Sequence, residues 1–313
     1  MSQKNNAKRG YPYTIVTTCG MVTNIVSEVA GGKAQVIGLM GEGVDPHLYK
    51  PTRDDVAKLL EADIVFYSGL MLEGRMTDTF VKIARKGTPV HAVTEEISES
   101  YLLTPEDMEG HPDPHVWMDV QAWSQATAAV AQALSQFDPE NAPYYQKNLI
   151  LYQAELEKLD AYIKDVIASI PQKQRYLITA HDAFGYFARS YGIEVKAAQG
   201  LSTESEAGVA DINGLVDFIV EQKIKAIFVE TSVADKNIQA IIEGAKSKGH
   251  EVTIGGALFS DAMGEPGTYE GTYIGMLDSN ATTIARALGG NAPAKGLLGQ
   301  LSKPKQNPSN QES

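Results

Sequence analysis

The stretch RYLITAHDAFGYFARSYGIEVKA, residues 175–197, decides the fold class. RYLITA (175–180) is a short apolar run of strand character. Residues 183–191 have helical spacing and end before Gly192. IEVKA (193–197) reads as a second strand. A strand, a helix and a strand in immediate succession call for a parallel crossover. The stretch also puts His181 at the end of a strand, where open α/β sheets bind ligands.

Outward from there the same alternation continues. Toward the C-terminus come a helix over 211–223 opened by Asp211 as N-cap, and a strand KAIFVE (225–230). A helix over 234–248, a strand EVTIGGAL (251–258) and a helix over 269–288 follow. Toward the N-terminus the strands are YTIV (13–16), AQVIGLM (34–40), DIVFYSG (63–69) and PVHAV (89–93). Helices fall at 21–30, 52–61, 72–85 and 120–134, with Thr52 and Asp55 at capping-box spacing. Between the halves, Tyr145, Leu149, Tyr152, Leu156, Leu159, Ile163, Val166 and Ile170 step by four and three in turn. That is one apolar stripe along a single long helix. The expected architecture is α/β, with two lobes of mainly parallel sheet flanked by helices and joined by that helix. Its division is 1–142 for the first lobe, 143–171 for the linking helix, 172–301 for the second lobe and 302–313 for a disordered tail.

Composition removes several function classes. The 313 residues hold 39 Asp+Glu against 27 Lys+Arg, a formal net charge of −12. That balance opposes nucleic-acid binding, which needs a basic footprint. One cysteine excludes a disulfide within the chain and a thiolate zinc cluster. A metal site must therefore use imidazole and carboxylate. No apolar run reaches 18 residues, and MSQKNNAKRG (1–10) lacks the apolar core of a signal peptide. Read literally, the chain is cytoplasmic; a mature form that has lost its leader reads the same way.

Among six histidines, four stand apart from a metal reading or stay open to a bland one. His91 lies inside an apolar strand, and His250 follows Gly249 at a helix end; both read as structural. His47 and His115 each close the same tripeptide, Asp45-Pro46-His47 and Asp113-Pro114-His115. Proline fixes its own φ and restricts its predecessor, so each His sits at a stiff point, which suits a ligand. His181 and Asp261 each follow a strand, Asp261 in the loop FSDAMGEPGT. A loop cap and a metal ligand are both open readings of Asp261. Together the four offer three imidazoles and one carboxylate, two from each half, enough for one cation site in a cleft between the lobes. Glu206 and Glu230 could orient an imidazole from behind, or simply be solvated. No G-x-S-x-G, H-E-x-x-H, Walker A or G-x-G-x-x-G motif is present. Asn280-Ala281-Thr282 matches a glycosylation sequon but falls inside a helix.

At these residues the chain resembles the metal-binding subunits of ABC importers, cluster 9 of the solute-binding proteins, and within them the TroA-like members. The segments GLMGEGVDPHLYKPT, DPHVWMD, TAHDAFGYF, GLSTESEAG and GGALFSDAMGEPGTYEGTY carry the resemblance, from about Tyr13 to Leu288. Intervals of 68, 66 and 80 residues separate His47, His115, His181 and Asp261. The resemblance implies that these four hold one divalent ion, Zn2+ or Mn2+. It implies a monomer outside the cytoplasm, periplasmic or lipid-anchored, that serves an ABC permease and catalyses nothing. Manganese specialists of the family often have Glu at the position of His181. Zinc specialists carry a long His-rich loop where this chain has only LTPEDMEGHPDPH, with His111 as the one extra histidine. A zinc-dependent metallohydrolase and a surface adhesin are the alternative readings.

Overall fold

The computed structural model describes residues 10–105 and 110–302. Contacts divide the chain into two units, Met1–Glu157 and Lys158–Ser313.

In the first unit, β1 (Tyr13–Thr17), β2 (Ala34–Gly38), β3 (Ile64–Tyr67) and β4 (Val90–Ala92) form one sheet in the order β2-β1-β3-β4. Every pairing in it is parallel, with Ile15 opposite both Val36 and Ile64. Helices α1 (Gly20–Ala30), α2 (Arg53–Glu61) and α3 (Thr77–Arg85) supply the crossovers, and α4 (Val120–Phe137) follows. Strands β1 and β3 are largely buried, with Ile15, Val16, Ile64, Val65 and Phe66 at 0–1% exposure. Met21, Ile25 and Val26 on α1 and Trp123 on α4 are also at 0% exposure, and α1 lies against β1, β3 and α4. The capping box at α2 is present: Asp55 N donates to Thr52 Oγ1, and Thr52 N donates to the Asp55 carboxylate.

One expected helix is shorter than its sequence suggests. In place of a helix over 72–85, a short 3-10 turn spans Gly74–Met76 and α3 begins at Thr77. The cause lies just before it. Gly69, Leu70 and Met71 all have positive φ, at 99°, 52° and 64°. Glu73 is buried beneath this turn and accepts from Ser68 N, Gly69 N and Thr18 Oγ1. Those bonds hold a tight reversal that no helix can pass through, and burial pushes the Glu73 carboxyl up.

The second unit repeats the style. β5 (Tyr176–His181) pairs in parallel with β6 (Glu194–Gln199), and β7 (Ala226–Glu230) with β8 (Thr253–Leu258). β5 and β7 run side by side. Helices α6 (Gly185–Tyr191), α7 (Val209–Gln222), α8 (Lys236–Ser247) and α9 (Tyr273–Ala287) complete the unit. Ile178, Ile219, Ile227, Ile238 and Ile241 form its centre, each at 0% exposure. Gly208, not Asp211, is the N-cap residue of α7, and Asp211 lies in the first turn, where its charge suits the helix dipole. α9 starts at Tyr273 rather than 269 because the preceding residues form turns: Thr268 N bonds Glu265 O and Thr272 N bonds Tyr269 O.

The long helix is α5, Ala142–Ala168. Its 27 residues would span about 40 Å, and the boundary between the units falls within it. All eight residues of the apolar stripe are buried, from Tyr145 at 0% to Leu149 at 8%, but Ile170 lies past the helix end, in a turn where its N bonds Ile167 O. The α/β class, the parallel sheets flanked by helices and the long helix are therefore as the sequence indicates. Of the tail read as disordered, only Ser302 lies among the described residues; its N and Oγ bond the Glu270 carboxylate.

Candidate metal centre

In the first unit, His47 lies in the loop between β2 and α2, and His115 in the segment that leads into α4. The repeated tripeptide folds the same way both times. Asp45 Oδ1 accepts from His47 N at 2.8 Å, and Asp113 Oδ1 accepts from His115 N at 2.8 Å. In each, an aspartate closes a turn across a proline and fixes the histidine backbone. At the second copy the same Asp113 oxygen also lies 2.8 Å from His115 Nδ1. The two imidazoles meet: His47 Nε2 and His115 Nε2 are 3.3 Å apart, with His115 fully buried and His47 6% exposed. Trp117 packs edge-on to the His115 ring, its centroid 5.2 Å away.

In the second unit, His181 is the last residue of β5 and Glu230 the last of β7. Glu230 bridges the two strand ends. Its Oε1 accepts from His181 N at 2.8 Å, and its Oε2 makes a short contact with His181 Nδ1. The other ring nitrogen, Nε2, lies 3.2 Å from Asp261 Oδ2 in the loop after β8. His181, Glu230 and Asp261 are all buried. Burial alone would lower the imidazole pKa, but the Glu230 and Asp261 carboxylates flanking it outweigh that and raise it well above the usual value. The two carboxylates thus favour the protonated form of this ring.

Both spacings suit one chemistry. Two donors about 2.0–2.1 Å from one tetrahedral ion lie about 3.3–3.4 Å apart. The His47–His115 and His181–Asp261 pairs each match that edge. Each unit therefore presents a donor pair spaced for a cation, two imidazole nitrogens in the first and a nitrogen with a carboxylate oxygen in the second, donors that suit zinc and its neighbours.

A family description matches this chain over residues 15–287: ZnuA, zinc-uptake complex component A, periplasmic. The chain belongs to the ZnuA family. It is 47% identical over 285 residues to the zinc-binding protein TroA of Treponema pallidum, covering 91% of each chain. It is 46% identical over 274 residues to the manganese-binding lipoprotein MntA of Bacillus subtilis, covering 88% of this chain and 89% of that one. The solved structure of the periplasmic zinc-binding protein TroA from T. pallidum superposes with a TM-score of 0.86, covering 89% of this chain and 99% of that one. As a ZnuA-family member, the chain is a metal-binding solute-binding protein of the ABC-importer kind and not an enzyme, which sets aside the metallohydrolase reading.

The remaining histidines of this ZnuA-family chain stand elsewhere. His91, in β4, stacks on Phe66 at 5.6 Å, and burial lowers its pKa. His250 Nε2 bonds Ile224 O at 2.6 Å, and His111 is exposed. Of the two carboxylates expected behind an imidazole, Glu230 holds one and Glu206 is exposed in the loop between β6 and α7.

Two contributors escape sequence reading. Asp113 is one, legible only as half of a repeated tripeptide. Asn280, on α9, is the other. Its Oδ1 accepts from Phe259 N at 2.9 Å and its Nδ2 donates to Phe259 O at 2.7 Å, clamping the strand end two residues before Asp261. The sequon is thus a buried brace. Gly275 keeps this loop close to α9, since a Cβ there would fall 1.8 Å from Tyr269 O.

Proposed function

We propose that this protein captures one divalent transition-metal ion outside the cytoplasm and delivers it to an ABC permease in the membrane. The ion is held jointly by His47, His115, His181 and Asp261, two from each unit. The observation that carries the reading is the 3.3 Å separation of His47 Nε2 and His115 Nε2, the spacing of two nitrogens on one ion. The His181–Asp261 pair supports it independently. Glu230 orients His181 from behind, as such carboxylates do in metal sites.

The relatives' names point to zinc in one case and manganese in the other. Three neutral imidazoles favour Zn2+ over Mn2+ by intrinsic affinity. A bidentate Asp261 would add the coordination that Mn2+ prefers. We assign zinc as the ion in the protein as purified, with manganese a competing cargo. The reading extends to a monomer, periplasmic or lipid-anchored at the outer face of the membrane, with no nucleic-acid partner. No helix among the described residues is long and apolar enough to cross a membrane. In this reading the segment 143–171, which holds all of α5 but its first residue and ends three residues beyond it, links a lobe at 1–142 to a lobe at 172–301.

Elemental analysis followed by calorimetric competition between Zn2+ and Mn2+ tests the function. One tightly bound ion per chain is expected. Absence of stoichiometric binding for both ions sinks the reading.

A further inference from the structure

We propose that Asp113 is a positioning residue for metal capture, locking His115 in the tautomer that turns a bare Nε2 toward the ion. This rests on the reading of His115 as a ligand. Asp113 is 1% exposed, and its own N–H is anchored to Leu103 O at 2.8 Å. Its Oδ1 sits 2.8 Å from both the backbone N and the ring Nδ1 of His115. A neutral imidazole carries one N–H. With a carboxylate oxygen against Nδ1, that proton belongs on Nδ1, because the other tautomer would face two lone pairs together. Nε2 is then bare, and it is the nitrogen 3.3 Å from His47 Nε2. Pro114 between the two residues and the edge of Trp117 against the ring limit any other orientation. The aspartate therefore does two jobs with one oxygen: it sets the backbone turn and it sets the ring.

The Asp113 contact places a carboxylate behind the His115 ring, which raises its strength as a ligand. In the second unit Glu230 has the same pair of partners, the His181 backbone N and Nδ1. One device thus occurs twice, built from a residue two positions away in one unit and 49 away in the other.

The test combines zinc affinity with the protonation pattern of the metal-free ring. Zn2+ competition titrations at one pH above neutrality would compare wild type with Asp113→Ala, Asp113→Asn and His115→Ala. Asp113→Ala should weaken binding about 10–100-fold. Asp113→Asn keeps an acceptor oxygen in place and should lose less. Nitrogen NMR of the metal-free wild type should show His115 with its proton on Nδ1, and Asp113→Ala should release the ring to a mixture of tautomers. A wild-type ring protonated on Nε2 overturns the proposal, and does so even if Asp113→Ala fails to fold. So does wild-type affinity in Asp113→Ala beside a normal loss in His115→Ala. Wild-type affinity in His115→Ala overturns the ligand reading, and this proposal with it.

Discussion

The two proposed ligand pairs reach similar spacings by different routes. In the first unit, two imidazoles approach each other from loops, each pinned by an Asp-Pro-His turn. In the second, one imidazole at a strand end sits between two carboxylates, one behind it and one beside it. The first pair is built from local sequence and carries its stiffness in prolines. The second is built from a sheet and carries charge. Since a divalent ion needs negative charge as well as donor atoms, the second pair should dominate affinity and the first should shape the site.

The largest effect should come from the only charged member of the proposed ligand set. Structural zinc sites bind with about 10–16 kcal/mol, so one of four ligands is worth about 3 kcal/mol or more, or about 100-fold in affinity. Asp261→Ala should lose at least that much, measured as metal content and Kd; unchanged metal content would remove Asp261 from the site. His47→Ala should follow at a smaller cost, because a neutral donor is lost. If His47→Ala proved worse than Asp261→Ala, the ranking of the two pairs would be reversed.

Acid comes next. The His181 pKa is raised in the metal-free protein, so the ring holds a proton that the ion must displace. Lowering the pH strengthens proton competition for that nitrogen, and raising it weakens the competition. Affinity should therefore fall steadily from pH 7.5 toward pH 5, read by titrations at several pH values. Firm retention well below pH 5 would count against three imidazole ligands. Glu230→Gln should cost about 10–100-fold in affinity, since an amide supports the ring less well. The smallest effect on binding should come from Asn280→Ala. It strands the polar backbone of Phe259 at a cost of about 1–3 kcal/mol, visible as a lowered Tm with only a modest change in Kd.

How much of this could be read beforehand varies by residue. The stripe from Tyr145 to Ile170 needed only helical periodicity, and all eight positions are buried. Thr52 and Asp55 needed only capping chemistry. The start of α3 at Thr77 was hidden, because the obstacle is Glu73 buried beneath residues 68 and 69 and bonded to Thr18. Nothing in the helical spacing of 72–85 reports a partner 55 residues away.

The candidate site divides the same way. Proline stiffness and strand ends mark His47, His115, His181 and Asp261 as candidates in the sequence, because backbone restriction and strand patterning are local properties, and the family resemblance is what joins them into one set. What stands behind the rings is decided in three dimensions. Glu230 reaches His181 because β5 and β7 run side by side, and Asn280 reaches Phe259 because α9 packs on β8. Even Asp113, two residues from its ring, needed a side-chain rotamer that sequence does not state. Chain chemistry supplied the candidate donors; packing fixed which nitrogen of each ring faces its neighbour.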